Sequence, residues 1–168
     1  MAKVTVFLRS GQVFAQVMAG RGGRSQSVLL ERVTADSSPI ASLDTIPSLR
    51  IVGEVPMTKE LVSLVSRSSS LSLSYCSTHY IDMCLDVAPM AMVMSLDNCD
   101  IGGTYRSGAK IRNLQLRACS GTGHVVGLYP MSLSLDMPMP EEIGLELHQR
   151  CVQYFFRGDA PGGSDPYE

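Results

Sequence analysis

The sequence predicts an α+β, β-rich domain: an antiparallel sheet or sandwich-like core with one or two helices, over 58–67 and 141–156. Three observations carry this. Short apolar runs alternate with period two, as in Ser70–Tyr75 and 131–137, which is the signature of half-buried strands. The connections between them are polar and rich in Gly and Pro. Only two stretches show an apolar stripe at helical spacing behind a start signal.

Taken in order, Val4, Val6 and Leu8 alternate, Ser10-Gly11-Gln12 punctuates, and Val13 to Met18 continues, so the chain opens on a hairpin. The glycine- and arginine-rich stretch 19–26 is expected to be a flexible basic loop. Ser27 to Val33 reads as a strand and 34–48 as a long surface connection. Leu49 to Val55 is a strand. Thr58 can then cap a helix that carries Glu60 in its first turn and Leu61, Val62, Leu64 and Val65 on one face. Strands follow at 70–75, 80–87 and 90–96, the last nearly all apolar and so expected to be covered on both faces. After a glycine-rich loop at 100–108, strands are expected from Ile111, at Val125–Leu128 and at 131–137. Pro140-Glu141-Glu142 starts the second helix, with Ile143, Leu147, Cys151 and Phe155 recurring every four residues. Ile143, Leu145 and Leu147 also alternate, which leaves a strand over 143–149 open. One globular domain over 1–157 and a disordered tail over 158–168 are expected. We read no internal repeat.

Composition narrows the function class. Apolar residues make up 45% and charged residues 18% of the 168, as in a globular chain. There is no Trp, so aliphatic side chains and ten Met must fill the core. No apolar run nears the roughly 20 residues that span a bilayer, and the opening stretch is too short for a secretion signal. Five scattered cysteines, Cys76, Cys84, Cys99, Cys119 and Cys151, point to reduced thiols in the cytosol or nucleus.

Charge is unevenly spread. Residues 1–33 carry five bases against one acid, and 101–118 carry Arg106, Lys110, Arg112 and Arg117 with no acid. The other two blocks are acidic, and the net charge is −2. If the basic blocks share a face, Lys3, Arg9, Arg21, Arg24, Arg106, Lys110, Arg112 and Arg117 form a surface for anionic partners. Each is worth about 1 kcal/mol near a charged membrane. The pI of about 5.9 argues against a dedicated nucleic-acid binder.

Catalytic and metal signatures are weak. Cys76, His79 and Cys84 place three zinc-type ligands within nine residues, but the spacing is that of no finger. Buried, inert thiols are the favoured reading. Gly121-Thr122-Gly123-His124-Val125-Val126-Gly127 has dinucleotide-loop character, yet no helix is expected after it, so a glycine-rich turn is preferred. The histidines His79, His124 and His148 sit in no catalytic signature. The expectation is a protein that is not an enzyme and needs no cofactor.

From Leu49 onward the order of elements resembles the matrix proteins of rhabdoviruses. The residues are the strand 49–55, the Thr58-started helix, Tyr80-Ile81-x-Met83, Gly127-Leu128-Tyr129 before the alternating strand, and the Pro-Glu-Glu helix start. The long Lys-rich arm and an early Pro-Pro-x-Tyr motif are missing. That resemblance implies a viral structural protein of matrix type. It would self-associate and bridge a viral nucleoprotein and an anionic membrane surface, in the virion and host cytoplasm. A second stretch, 129–136 with the earlier Ser95-Leu96-Asp97, is similar to the core of plant-virus movement proteins. That likeness implies single-stranded nucleic acid as partner, for a movement or silencing-suppressor role.

Overall fold

The computed structural model describes residues 2–19, 25–35, 40–41, 43–107, 110–128, 130–136, 141–149 and 153–156. The expected flexible loop at 19–26 falls largely, and the tail at 158–168 wholly, outside them.

The fold is α+β and β-rich. The strands are β1 (Ala2–Arg9), β2 (Gln12–Ala19), β3 (Gln26–Leu29), β4 (Ser48–Val52), β5 (Ser70–Ser74), β6 (Met92–Asp97), β7 (Ile111–Arg117), β8 (Ser132–Leu135) and β9 (Gln153–Phe156). They form one sheet in the order β3-β2-β1-β4-β5-β6-β7-β8-β9. The expected opening hairpin is present, and its two-residue turn, Ser10-Gly11, has positive φ at both positions (52° and 76°). Such a turn matches the twist of the strands it joins. Strands β1, β2 and β3 pair antiparallel.

The antiparallel, sandwich-like core is corrected beyond that point. From β1 through β4 to β9 every pairing is parallel. Alternation within a strand reports that one face is buried. It does not report which way the neighbour runs. Parallel neighbours need a crossover of a dozen or so residues, and the segments that look like loops and extra strands supply it.

Those crossovers include α2 (Lys59–Ser66), α3 (Thr78–Val87), the 3-10 helix Thr122–Leu128 and α4 (Glu141–Gln149), with the short α1 (Leu30–Val33) before β4. Helix α2 is as expected: the Thr58 hydroxyl accepts from the Leu61 N–H at 3.4 Å. Four other expectations change. Tyr80–Val87 is helix, because Tyr80, Ile81, Cys84 and Leu85 make one buried helical stripe rather than an alternation. Val125–Leu128 lies in the 3-10 helix, not in a strand or turn. The expected strand at 27–33 ends at Leu29 and turns into α1. The second helix is described over Glu141–Gln149, and 153–156 is strand, so the expected helix over 141–156 does not run on to 156 and 143–149 is helical.

A repeat that the linear sequence conceals organises all of this. Leu49, Leu71, Met94, Leu114 and Leu133 stand at matching register, 22, 23, 20 and 19 residues apart. Two residues on, Ile51, Leu73, Leu96, Leu116 and Leu135 form a second matching row. All ten are buried. Five residues after the first row come Cys76, Cys99 and Cys119 in the three central units. The residue just before that position is left-handed in four successive units: Gly53 (φ 79°), Tyr75 (59°), Asn98 (52°) and Ala118 (52°). A strand and a left-handed corner, followed in most units by a helix or 3-10 turn, thus recur as a stacked structural unit, with L-x-L-x-x-C at the core of the central ones. Each unit buries its leucines only against its neighbours.

The units are also laced by polar contacts. The Thr78 hydroxyl reaches the Gly102 carbonyl at 2.6 Å and that of Asp100 at 3.1 Å. The Asp82 carboxylate accepts from the Arg106 and Ser107 N–H groups at 2.8 and 3.3 Å. Arg67, at the end of α2, donates to the carbonyls of Ile40 and Leu43 at 3.0 and 2.6 Å and so pins the connection before β4.

Candidate functional site

The sheet has one covered and one open face. Leucine rows point under the helices. The alternate residues form three open rows that run across the strands. Ser48, Ser70, Val93, Asn113 and Ser132 make the first row. Arg50, Ser72, Ser95, Gln115 and Ser134 make the second, and Val52, Ser74, Asp97 and Arg117 the third, in which Ser74 is itself buried. β6 is thus covered on one face only, with its alternate residues partly exposed.

Small hydroxyl side chains dominate these rows. Among them the Ser95 hydroxyl donates to Gln115 Oε1 at 3.3 Å, and Arg50 donates to the Ser74 hydroxyl at 3.5 Å. A serine offers one donor and two lone pairs while standing only two atoms above the sheet. The face is therefore low, hydrogen-bonding and wide. At about 4.8 Å per strand, β4 to β8 spans roughly 19 Å.

The six cationic candidates among the described residues are not gathered into one patch. Lys3 and Arg9 are exposed on β1 and face the open side with Arg50. Arg117 shares that face but sits on β7, four strand steps away. Arg112 is exposed beside the register shift at the start of β7. Arg106 lies in the loop against α3. Lys110 is committed: its ammonium donates to the carbonyls of Asp86 and Ala88 at 2.9 and 3.0 Å, which closes the C-terminal end of α3. Arg21 and Arg24 lie outside the described residues.

The zinc candidates are also separated in role. His79 is exposed on α3 and Cys84 is buried on its inner side. Burial pushes the Cys84 thiol up to about 12. Cys76 instead belongs to a stack of thiols on the covered side. Its Sγ reaches the Gly53 carbonyl at 3.6 Å, Cys99 that of Leu73 at 3.4 Å, and Cys119 that of Leu96 at 3.3 Å. Each thiol thus bonds the strand end of the preceding unit. The contact with Cys119 pulls the Cys99 thiol down, but its bond with Cys76 and burial outweigh that and its pKa is raised. Cys119 is raised first by its bond with Cys99 and then by burial. Cys99 and Cys119 are thereby held as thiols at neutral pH, and all three cysteines act as small buried packing groups. Among the described residues no three His, Cys, Asp or Glu side chains are grouped to hold a metal.

Buried tyrosines bond in the same way. Tyr80 donates to the Val55 carbonyl and Tyr105 to that of Ile101. Burial is the main cause that raises both hydroxyls, Tyr105 to about 12. Glu54 is different: bonds from Ser77 to its carboxylate hold it below the usual range, at the start of α3.

The rows Arg50–Ser134 and Ser48–Ser132 are the surface residues that reading the sequence missed. The signal was present as the polar residue between the two leucines of each L-x-L. No protein-family model, curated protein or solved structure matches the chain. No helix among the described residues is long and apolar enough to cross a membrane.

Proposed function

We propose that the chain is a binding module that holds a macromolecular partner on the open face of its parallel sheet. One observation supports this above the others: five successive strands present in-register rows of mostly polar side chains, many of them serines, on a face that none of the described helices covers. Solenoids of stacked repeats use such extended surfaces for partners. The nucleophiles that the fold lines up, Cys76, Cys99 and Cys119, are buried and bonded to the backbone, which favours binding over catalysis. In the matrix-type reading the occupant would be a second copy of the chain or a nucleoprotein. Both would lie on this same face.

The test is to select binders from a displayed library of small domains and map them with single substitutions. Ser72→Arg or Ser95→Arg plants a long charged side chain in the middle of the face and should weaken selected binders at least 10-fold. His79→Arg on α3 should leave them unchanged. Sedimentation of the chain alone at low and high salt reports whether it also serves as its own partner. Binders that ignore both serine substitutions and respond to His79→Arg would refute the proposal.

A further inference from the structure

We infer that the β2–β1–β4 end of the open face docks an extended acidic peptide segment that carries apolar side chains; this rests on the open face being the binding surface. Phe14, Phe7 and Val52 follow one another in one row across these strands, each only partly buried. The two rings stack with centroids 6.1 Å apart. The Arg9 guanidinium lies 5.3 Å from the Phe7 centroid and 6.0 Å from that of Phe14. Lys3 and Arg50 are exposed on the same face. No Asp or Glu stands on the open rows of β2, β1, β4 or β5, and the first acid met is Asp97 on β6. Glu54, just past β4, is engaged with the Ser77 N–H at 2.9 Å. Among the described residues no carboxylate pairs with Lys3, Arg9 or Arg50.

The apolar strip, flanked by three cations that no described carboxylate neutralises, thus asks for the opposite charge. It also has room beside the strip, where the partly exposed Ser48, Ser70 and Ser72 leave the sheet low enough for a main chain to lie close. A peptide suits this better than a nucleic acid. Arg9 already occupies the ring faces on which bases would stack, and three cations give little counterion release.

The experiment uses the full chain and three fluorescent probes: a 12-residue peptide alternating Glu or Asp with Leu or Phe, the same peptide with Lys for each acid, and oligouridine of equal length. Anisotropy should show binding of the acidic peptide alone. The triple variant Lys3→Ala, Arg9→Ala, Arg50→Ala should weaken it at least 10-fold, as should raising NaCl from 50 to 300 mM. Arg117→Ala, on the same face but on β7, should leave the affinity within 2-fold. These side chains are at the surface, so an unchanged melting curve separates lost docking from lost folding. Preference for the Lys peptide or oligouridine, no binding of the acidic peptide, or equal loss with Arg117→Ala would overturn the inference. If selected domains are lost with Ser95→Arg while the triple variant keeps the acidic peptide unchanged, the docking chemistry fails and the open-face module stands. Binders that map to the helices would remove both.

Discussion

Leu96→Ala should cost about 3–4 kcal/mol of unfolding free energy, within the range for emptying a well-packed leucine site. Leu96 is 1% exposed at the middle of the sheet, in register with Leu73 on β5 and Leu116 on β7. Its carbonyl also accepts the Cys119 thiol. Its side chain therefore fills space shared by three units. Each unit of a solenoid is held only by its neighbours, so a cavity in the centre weakens two contacts at once. Against a total of roughly 5–15 kcal/mol for a domain this is a large share. Leu8→Ala, on a 45% exposed side chain, is the control and should cost under about 0.5 kcal/mol. Urea unfolding followed by circular dichroism measures both. A loss below about 1 kcal/mol for Leu96→Ala would mean that the site is not packed as described.

Gly121→Ala should cost about 2–4 kcal/mol, through backbone strain joined to a clash. Gly121 has φ +72°, and a Cβ there would sit 2.4 Å from the Gly102 nitrogen and 2.7 Å from its Cα. Neither atom belongs to a flexible side chain. The Gly102 N–H is moreover held by the Asp100 carboxylate at 3.0 Å, so the loop cannot retreat without breaking that bond. Gly53 is the natural comparison. It has φ +79°, a Cβ added there would meet nothing within 4 Å, and Ala118 fills the equivalent corner of a later unit. Gly53→Ala should therefore cost only the left-handed penalty, about 1 kcal/mol. Equal losses at the two glycines would show that the units carrying Gly102 and Gly121 do not touch through this corner.

Much of the local structure is legible in the residues. The Ser70–Tyr75 and 131–137 alternations mark β5 and β8, and Thr58 with its stripe marks α2. What the residues hide is the relation between elements. Met94 stands where the other units have leucine, and spacings of 19 to 23 residues blur a period. Ser95-Leu96 on β6 and Ser134-Leu135 on β8 hold matching places in the repeat. Cys76, Cys99 and Cys119 look scattered in the sequence, because their order becomes visible only when the leucines before them are aligned. Of the proposed surface, Lys3 and Arg9 are identifiable from the sequence and Arg50 is not. Charge counted by sequence block cannot see a lone arginine brought beside β1 by a parallel pairing.

The proposed binding surface depends on the open rows running straight across parallel strands. Nitroxide labels placed in pairs, one always at Ser134→Cys and the other at Gln115, Ser95, Ser72 or Arg50 changed to Cys, test this by electron paramagnetic resonance distances. The buried native thiols Cys76, Cys84, Cys99 and Cys119 are poor competitors for the label, and the fifth cysteine is removed by Cys151→Ser. The separations should rise in that order by about 4.8 Å per strand, reaching roughly 19 Å for Arg50 before label length is added. Separations that fall out of order, or that place Arg50 nearer to Ser134 than Ser95 is, would contradict the stacked-repeat sheet and the surface built on it.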